Sequence, residues 1–153
     1  MAEEWRAHGV ARYDLALEDF DAYLARLERS SQRELLPEGW VPGAEFWLDD
    51  GAGQVVACVR LRFWLTPELE VEGGHIGYDV RPSARRRGFG TAALQLALPE
   101  ARLHGLSRVL LTADADNIGS IAIIERSGGI FSGEAISVRS GKPVRQYWLD
   151  TPR

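Results

Sequence analysis

Residues 85 to 90 read Arg-Arg-Arg-Gly-Phe-Gly, between a strand-like run from His75 to Val80 and an apolar stretch from Thr91 to Leu98. A strand, a basic glycine loop and a helix start, in that order, form a layout that holds a pyrophosphate. The amides of the loop and first helical turn have no intrahelical partner, and the helix dipole adds partial positive charge there. Gly88 and Gly90 let the backbone approach an anion closely, while Arg85, Arg86 and Arg87 raise the local potential. His75, just upstream, has the intrinsic pKa range for proton transfer, and Glu70 and Glu72 precede it. A nicotinamide-type fingerprint fits poorly, because position 93 is Ala where a third glycine is required.

The elements that must position these residues follow from apolar spacing and turn signals. Asp14 to Arg29 has helical periodicity, with Asp14 as its cap. Ser30 to Gly43 is rich in Pro and Gly and predicts a loop, which Trp40 packs onto the body. Ala44 to Leu48 and Gln54 to Leu65 predict a hairpin around residues 49–53. Arg60 and Arg62 alternate there with Leu61 and Phe63, so one face of the second strand is polar or lines a site. Thr66 to Gly74 reads as an acidic loop, and His75 to Val80 as a strand. Gly88 to His104 predicts a helix that Pro99 kinks or interrupts and Gly105 ends. Val109 to Ala113 predicts a strand, Asn117 to Ser127 a second helix, and Ile130 to Val138 with Val144 to Leu149 a closing hairpin. Strand-helix-strand units give parallel neighbours, so the expected fold is α/β, a mixed sheet with helices on both faces.

The whole chain narrows the ligand class. Its 153 residues suit one domain, 1–153, with an ordinary soluble composition: 45% hydrophobic, 26% charged. A net charge of −4 tells against a nucleic-acid partner, so the arginine cluster suits a small anion instead. The one cysteine, Cys58, rules out an internal disulfide and a cysteine-rich metal site, and reads as a small core residue. No metal is expected. The N-terminus is acidic, and no apolar stretch approaches the ~18 residues of a membrane span, so a cytoplasmic protein with no membrane partner is expected.

Three placements together carry a resemblance to a known family. Arg85-Arg86-Arg87-Gly88-Phe89-Gly90 resembles the Arg/Gln-x-x-Gly-x-Gly/Ala signature of the GNAT acyl-CoA N-acyltransferases, with the strand before it and the helix after it. Asn117-Ile118-Gly119-Ser120 and Glu125-Arg126-Ser127-Gly128 resemble the Asn-x-x-Ser and Glu-Lys-x-Gly segments of that superfamily. Gly73 to Tyr78, Arg81-Pro82-Ser83 and Tyr147-Trp148 resemble a predicted-acetyltransferase subgroup within it.

The resemblance implies a GNAT-like twisted sheet whose two central parallel strands splay, and an N-acetyltransferase using acetyl-CoA (coenzyme A) as co-substrate. It implies a pyrophosphate held by Arg85, Arg86, Arg87, Gly88, Phe89, Gly90 and Thr91. The pantetheine arm would pair with Tyr78, Asp79 and Val80, and Asn117 would hydrogen-bond it. Ser120 belongs to the same segment and is a cofactor-binding candidate, structural (helix packing or a backbone bond) rather than a nucleophile. A tyrosine often serves as general acid four residues after the motif serine, and this chain has Ile124 there. His75, Tyr78, Glu72 and Tyr147 are therefore the catalytic candidates, with a water-relayed base as an alternative. Ile124 also leaves open a non-catalytic coenzyme A-binding or regulatory module. The acceptor is a small-molecule or peptide primary amine. The acidic loop and negative net charge favour a cationic one, such as a polyamine or aminoglycoside. Trp40 and Trp64 are candidates for lining its pocket, and homodimers are common in the superfamily.

Overall fold

A computed structural model describes residues 1–153. Three short helical segments come first: α1 (Ala2–Ala7), a 3-10 turn at Ala11–Tyr13 and α2 (Asp14–Glu18). They lead into α3 (Phe20–Ser30) and a 3-10 turn at Arg33–Leu35, then strands β1 (Gly43–Asp49) and β2 (Val55–Arg62). Next come α4 (Pro67–Val71), β3 (Ile76–Val80), a 3-10 turn at Pro82–Ala84 and α5 (Phe89–Leu103). The chain ends with β4 (Arg108–Asp114), α6 (Ile118–Arg126), β5 (Ile130–Ile136) and β6 (Pro143–Asp150). The fold is α/β, with α5 packed on one face of β2 and β3 and α3 on the opposite face of β1.

The expected central sheet is divided in two. One antiparallel sheet has the order β1-β2-β3 and the other β4-β6-β5. β3 and β4 are consecutive around the α5 crossover, yet no ladder joins them. Their one backbone bond is His75 N–H to the Leu110 carbonyl, 2.7 Å. The Leu110 N–H is taken by a side chain, His75 Nδ1 at 2.9 Å, instead of by the next residue of a strand. A connection that pairs at a single residue lets the two sheets diverge at once, and α5 and α6 fill the wedge with Leu94, Ala97, Ile121 and Ile124.

Local chemistry accounts for the other departures from the sequence reading. The helix expected over Asp14 to Arg29 breaks at Asp19, which is extended (φ −151°, ψ 96°) and whose carboxylate accepts from the Ala22 N–H at 2.9 Å. Asp19 rather than Asp14 is the cap, because a short acidic side chain satisfies the orphan amides of a fresh start better than it continues a helix. The acidic loop contains α4, begun by Thr66 as N-cap and Pro67 at the first position. Helix α5 runs unbroken through Pro99. Gln95, whose carbonyl loses its donor, lies with Pro99 on the exposed face, where water replaces the bond. Beyond its end Gly105 is left-handed (φ +83°), and the Leu106 N–H reaches back to Ala101, a Schellman closure. Cys58 is buried as expected, with its thiol pushed up to about 12 by burial. Trp40 does not pack onto the body: it is 69% exposed.

Gly74 sits where the two sheets meet. Its φ is +60°, and a Cβ there would collide with the Leu110 carbonyl oxygen. Gly74→Ala is expected to lower stability by roughly 2 kcal/mol or more, from left-handed strain plus overpacking. Urea denaturation of the variant against the parent chain measures it.

Candidate active site

The arginine-glycine loop is shaped by two left-handed residues, Arg86 (φ +60°) and Gly88 (φ +86°). Arg86 is the one non-glycine residue of the chain with positive φ. Six consecutive amides, Arg86 to Thr91, make no hydrogen bond within the protein; the first helical bond is Ala92 N–H to Gly88 C=O, 3.0 Å. Such a curl of free amides at the start of a 15-residue helix has the donors and the dipole to cradle an anion. The two glycines do different work. A Cβ on Gly88 would touch no protein atom, so its requirement is conformational, whereas one on Gly90 would press on Ile123 Cδ1 at 2.7 Å. Gly90 therefore packs between α5 and α6 while its N–H remains one of the six free amides.

Helix α1 braces this loop. Glu4 accepts from the Ser83 N–H (3.0 Å) and hydroxyl (2.8 Å) and pairs with Arg81 at 3.2 Å. The Arg85 guanidinium lies over the Trp5 ring at 5.1 Å, and its Nε donates to the Val80 carbonyl at 3.4 Å. Arg87 lies over Phe89 at 5.2 Å.

Beyond the loop, β3 offers a free edge. Arg81 N–H bonds to Val56 on β2, so by strand alternation Gly77 and Asp79 also turn their backbone groups to β2. Ile76, Tyr78 and Val80 therefore turn theirs toward β4, which is not there to receive them. Across the gap Leu110 aims both its N–H and its C=O at His75, so Thr112 faces the same gap. The slot is closed at His75–Leu110, and Tyr78 spans it further out, its hydroxyl 3.0 Å from Ser120 Oγ on α6. Burial raises the Tyr78 pKa, partly offset by the Ser120 bond. At the rim Asn117 Oδ1 accepts from the Ser120 N–H at 3.1 Å to cap α6, which leaves the Asn117 NH₂ free to donate.

The remaining catalytic candidates occupy distinct places. His75 is 8% exposed and commits Nδ1 to the Leu110 N–H, so its proton is on Nε2. The Glu72 carboxylate is held by Arg139 (2.5 and 3.1 Å) and Ser137 (2.6 Å), and these bonds keep its pKa below the usual range. Tyr147 is buried in the main core, with its hydroxyl donating to Glu125 at 3.2 Å. Asp79 turns its side chain to the face opposite α5, where Tyr13 (2.8 Å) and Arg60 (2.7 Å) hold it. Ile124 is 1% exposed within the core. Tyr78, Ser120 and Asn117 thus meet at the slot, whereas Glu72, Tyr147 and the Asp79 carboxylate are each engaged elsewhere.

Sequence reasoning missed Thr112 and Arg62. Thr112 Oγ1 accepts from the Gly73 N–H at 2.9 Å, and nothing in its run marked it. Arg62 donates to the Gly74 carbonyl at 2.9 Å, directly behind the closed end, and its alternation with Leu61 and Phe63 was the available signal. No three His, Cys, Asp or Glu side chains gather to hold a metal, and no helix is long and apolar enough to cross a membrane.

Residues 2–129, which include both the free strand edge and the amide curl, match the family model described as "Acetyltransferase (GNAT) family". The chain belongs to that family. It is 32% identical over 108 residues to the mycothiol acetyltransferase of Beutenbergia cavernae, covering 69% of this chain and 34% of that protein; the chain thus spans about a third of its relative's length. Among solved structures, yncA from Salmonella typhimurium, determined with its cofactor acetyl-CoA, has a TM-score of 0.62 at 19% identity, over 88% of this chain and 75% of that one. A spermidine N-acetyltransferase from Vibrio cholerae has a TM-score of 0.63 at 14% identity, over 88% and 76%. At those identities the likeness is one of fold.

The His75 contact gives the junction a pH dependence. Burial, and secondarily the charge of Arg62, push the imidazole down to about 4 from 6.5. Between those values the unfolded chain binds a proton that the folded chain refuses, so this contribution is complete above pH 6.5 and is lost as pH falls toward 4. It amounts to at most about 3 kcal/mol. His75→Asn keeps an acceptor for the Leu110 N–H without titrating. Urea unfolding from pH 7 to pH 4 is expected to show a steeper loss in the parent chain than in this variant.

Proposed function

We propose that this chain transfers an acetyl group from acetyl-CoA to a primary amine by direct attack. The observation that carries the reading is the continuity of two features: the edge of β3 at Tyr78 and the Val80 N–H, which no strand pairs, runs into the six free amides of Arg86 to Thr91. A pantetheine arm, with two amides spaced along an extended chain, needs donors and acceptors of that kind, and its pyrophosphate needs the cradle. Arg85, Arg87 and the Asn117 NH₂ add donors along the same path. Acetyl-CoA supplies an acetyl thioester; the protein supplies position and proton management.

In this reading Tyr78 is the general acid. Its hydroxyl is the one polar side-chain group that β3 directs across the slot, and Ser120 Oγ fixes it there. The amine nitrogen forms the new C–N bond as the C–S bond breaks; Tyr78 protonates the departing sulfur, and the proton the nitrogen sheds as it becomes the amide reprotonates the Tyr78 phenolate. The ammonium proton leaves to solvent through a water relay, because Glu72 is held by Arg139 and His75 Nδ1 by Leu110. This reading favours an enzyme over a non-catalytic coenzyme A module even though Ile124 has no hydroxyl to offer.

Two measurements test it. Calorimetric titration with acetyl-CoA is expected to show binding in the micromolar range, and Gly88→Val to weaken it at least tenfold, because φ +86° disfavours a branched residue and its side chain stands in the anion's approach. Absence of binding at millimolar acetyl-CoA overturns the reading. Tyr78→Phe is expected to lower kcat by about 10²-fold with the acetyl-CoA affinity kept, as loss of a general acid does. Thiol release across an amine panel that never exceeds the hydrolysis background would instead establish the non-catalytic module.

A further inference from the structure

Arg60 and Arg62 stand on the face of β2 opposite α5, with Arg12 of the first 3-10 turn and Arg139 of the turn after β5 near enough to act on Arg62; three of the four have carboxylates. Arg60 pairs with Asp79 at 2.7 Å and Arg12 with the same group at 3.4 Å; Arg139 pairs with Glu72 at 2.5 Å. Asp114 adds its field to Arg139, and Glu45, across the strand pair from Arg60, is bonded to Tyr23 and Trp47. Arg62 has no carboxylate. Its protein partners are two backbone carbonyls, Gly73 at 3.3 Å and Gly74 at 2.9 Å, both taken by the same terminal nitrogen, Nη1. Nε and Nη2 donate to no protein atom, and neither is among the buried polar atoms left without a partner, so neither is sealed from the surface. Glu68 and Glu70, on α4, reach none of these arginines.

The free edge of Arg62 has a position as well as a chemistry. The Gly74 carbonyl that Arg62 holds and the His75 N–H that bonds Leu110 belong to one peptide group. The guanidinium therefore stands one peptide from the closed end of the slot, on the side of the sheet away from α5. Nε and Nη2 form the side-on fork of a guanidinium, two parallel donors whose spacing matches the oxygens of a carboxylate. A half-buried arginine, crowded by the like charges of Arg60, Arg12 and Arg139, gains most from an anion brought to it. The expectation of a cationic acceptor rested on the acidic loop, and the charge of Glu72 is already matched by Arg139.

Resting on the acetyltransferase reading above, we infer that the acceptor is an amine that also carries a carboxylate, and that the Nε and Nη2 of Arg62 hold that carboxylate while the amine faces the closed end of the slot. Arg62 is then a specificity-determining residue.

The test uses the intact chain and acetyl-CoA, with acceptors in matched sets: an amino acid, its carboxamide, and the amine left when the carboxylate is removed, alongside spermidine. Thiol release is expected to give the carboxylate-bearing member a kcat/KM higher by on the order of tenfold to a hundredfold, the range of one charge-assisted contact. Arg62→Gln is expected to shrink that ratio with acetyl-CoA affinity unchanged, which also reports that the variant is folded; Arg62→Lys, which keeps charge and loses the fork, is expected to fall between. Equal or better turnover of the carboxamides, the decarboxylated amines or spermidine overturns the inference and leaves the acetyltransferase reading standing. A ratio that Arg62→Gln does not change overturns the assignment to Arg62. Failure of acetyl-CoA to bind the parent chain overturns both.

Discussion

The double contact between His75 and Leu110 is the constraint from which the site follows. One residue of each strand closes the gap between two three-stranded sheets, with a backbone bond at 2.7 Å and a ring nitrogen in the role a second strand residue would otherwise fill. An imidazole cannot propagate a ladder, so pairing stops after one step. Everything beyond that point diverges, and the strand edge that would be hidden in a continuous sheet is left without a strand partner, its Val80 carbonyl taken only by Arg85 Nε. Unpaired edges are a liability in most proteins. Here the edge is short, flanked by α6 and bridged by Tyr78 and Ser120, which stand where a strand of another chain would pair.

Around that opening, polar contacts tie separate parts of the chain to the segment from Glu70 to Gly74. Arg62 reaches it from β2, Thr112 from β4, Ser137 and Arg139 from the turn after β5, and Gln146 from β6, whose amide donates to the Glu70 carbonyl at 2.8 Å. The left-handed turns at Gly73 and Gly74 let the backbone present carbonyls on one side and an amide on the other. The acidic loop that in sequence looked like solvent-facing charge is thus a junction, with Glu72 as its anchor.

The sequence made the donor side of the site legible and the acceptor side much less so. The loop of Arg85 to Gly90 could be read because free amides, positive φ and basic residues leave a local signature in glycines and arginines. The order of Asn117 and Ser120 could be read because it resembles a segment of a known family. The order of strands and helices followed from periodicity. The division of the sheet did not, because it depends on what lies opposite His75, and nothing near His75 in sequence identifies Leu110. For the same reason a histidine tied to a backbone amide could not be told from a base, nor a glutamate paired 67 residues away from a free one. The break at Asp19 was misread for a different reason: unbroken apolar spacing from Asp14 to Arg29 hid the fresh helix start that the Asp19 carboxylate caps. Arg62 was visible as an alternation but not as a residue without a counterion, since that is a property of its neighbours.

Helix α1 illustrates how far local order is borrowed. Its six residues fall well below the ~12–15 at which an isolated helix is even marginal in water, because nucleation costs more than so few backbone bonds return. It forms only as part of something else, and its partners are Ser83, Arg81 and Arg85, the approach to the anion cradle. The cradle in turn contains a strained residue, Arg86, which holds its left-handed conformation only where the surroundings leave it no alternative. Helix and loop are therefore one cooperative unit whose halves melt or order together. The beginning of the chain acts as a buttress for a turn some eighty residues later, and a change confined to the first turn of the protein propagates to the geometry of the cradle without touching it.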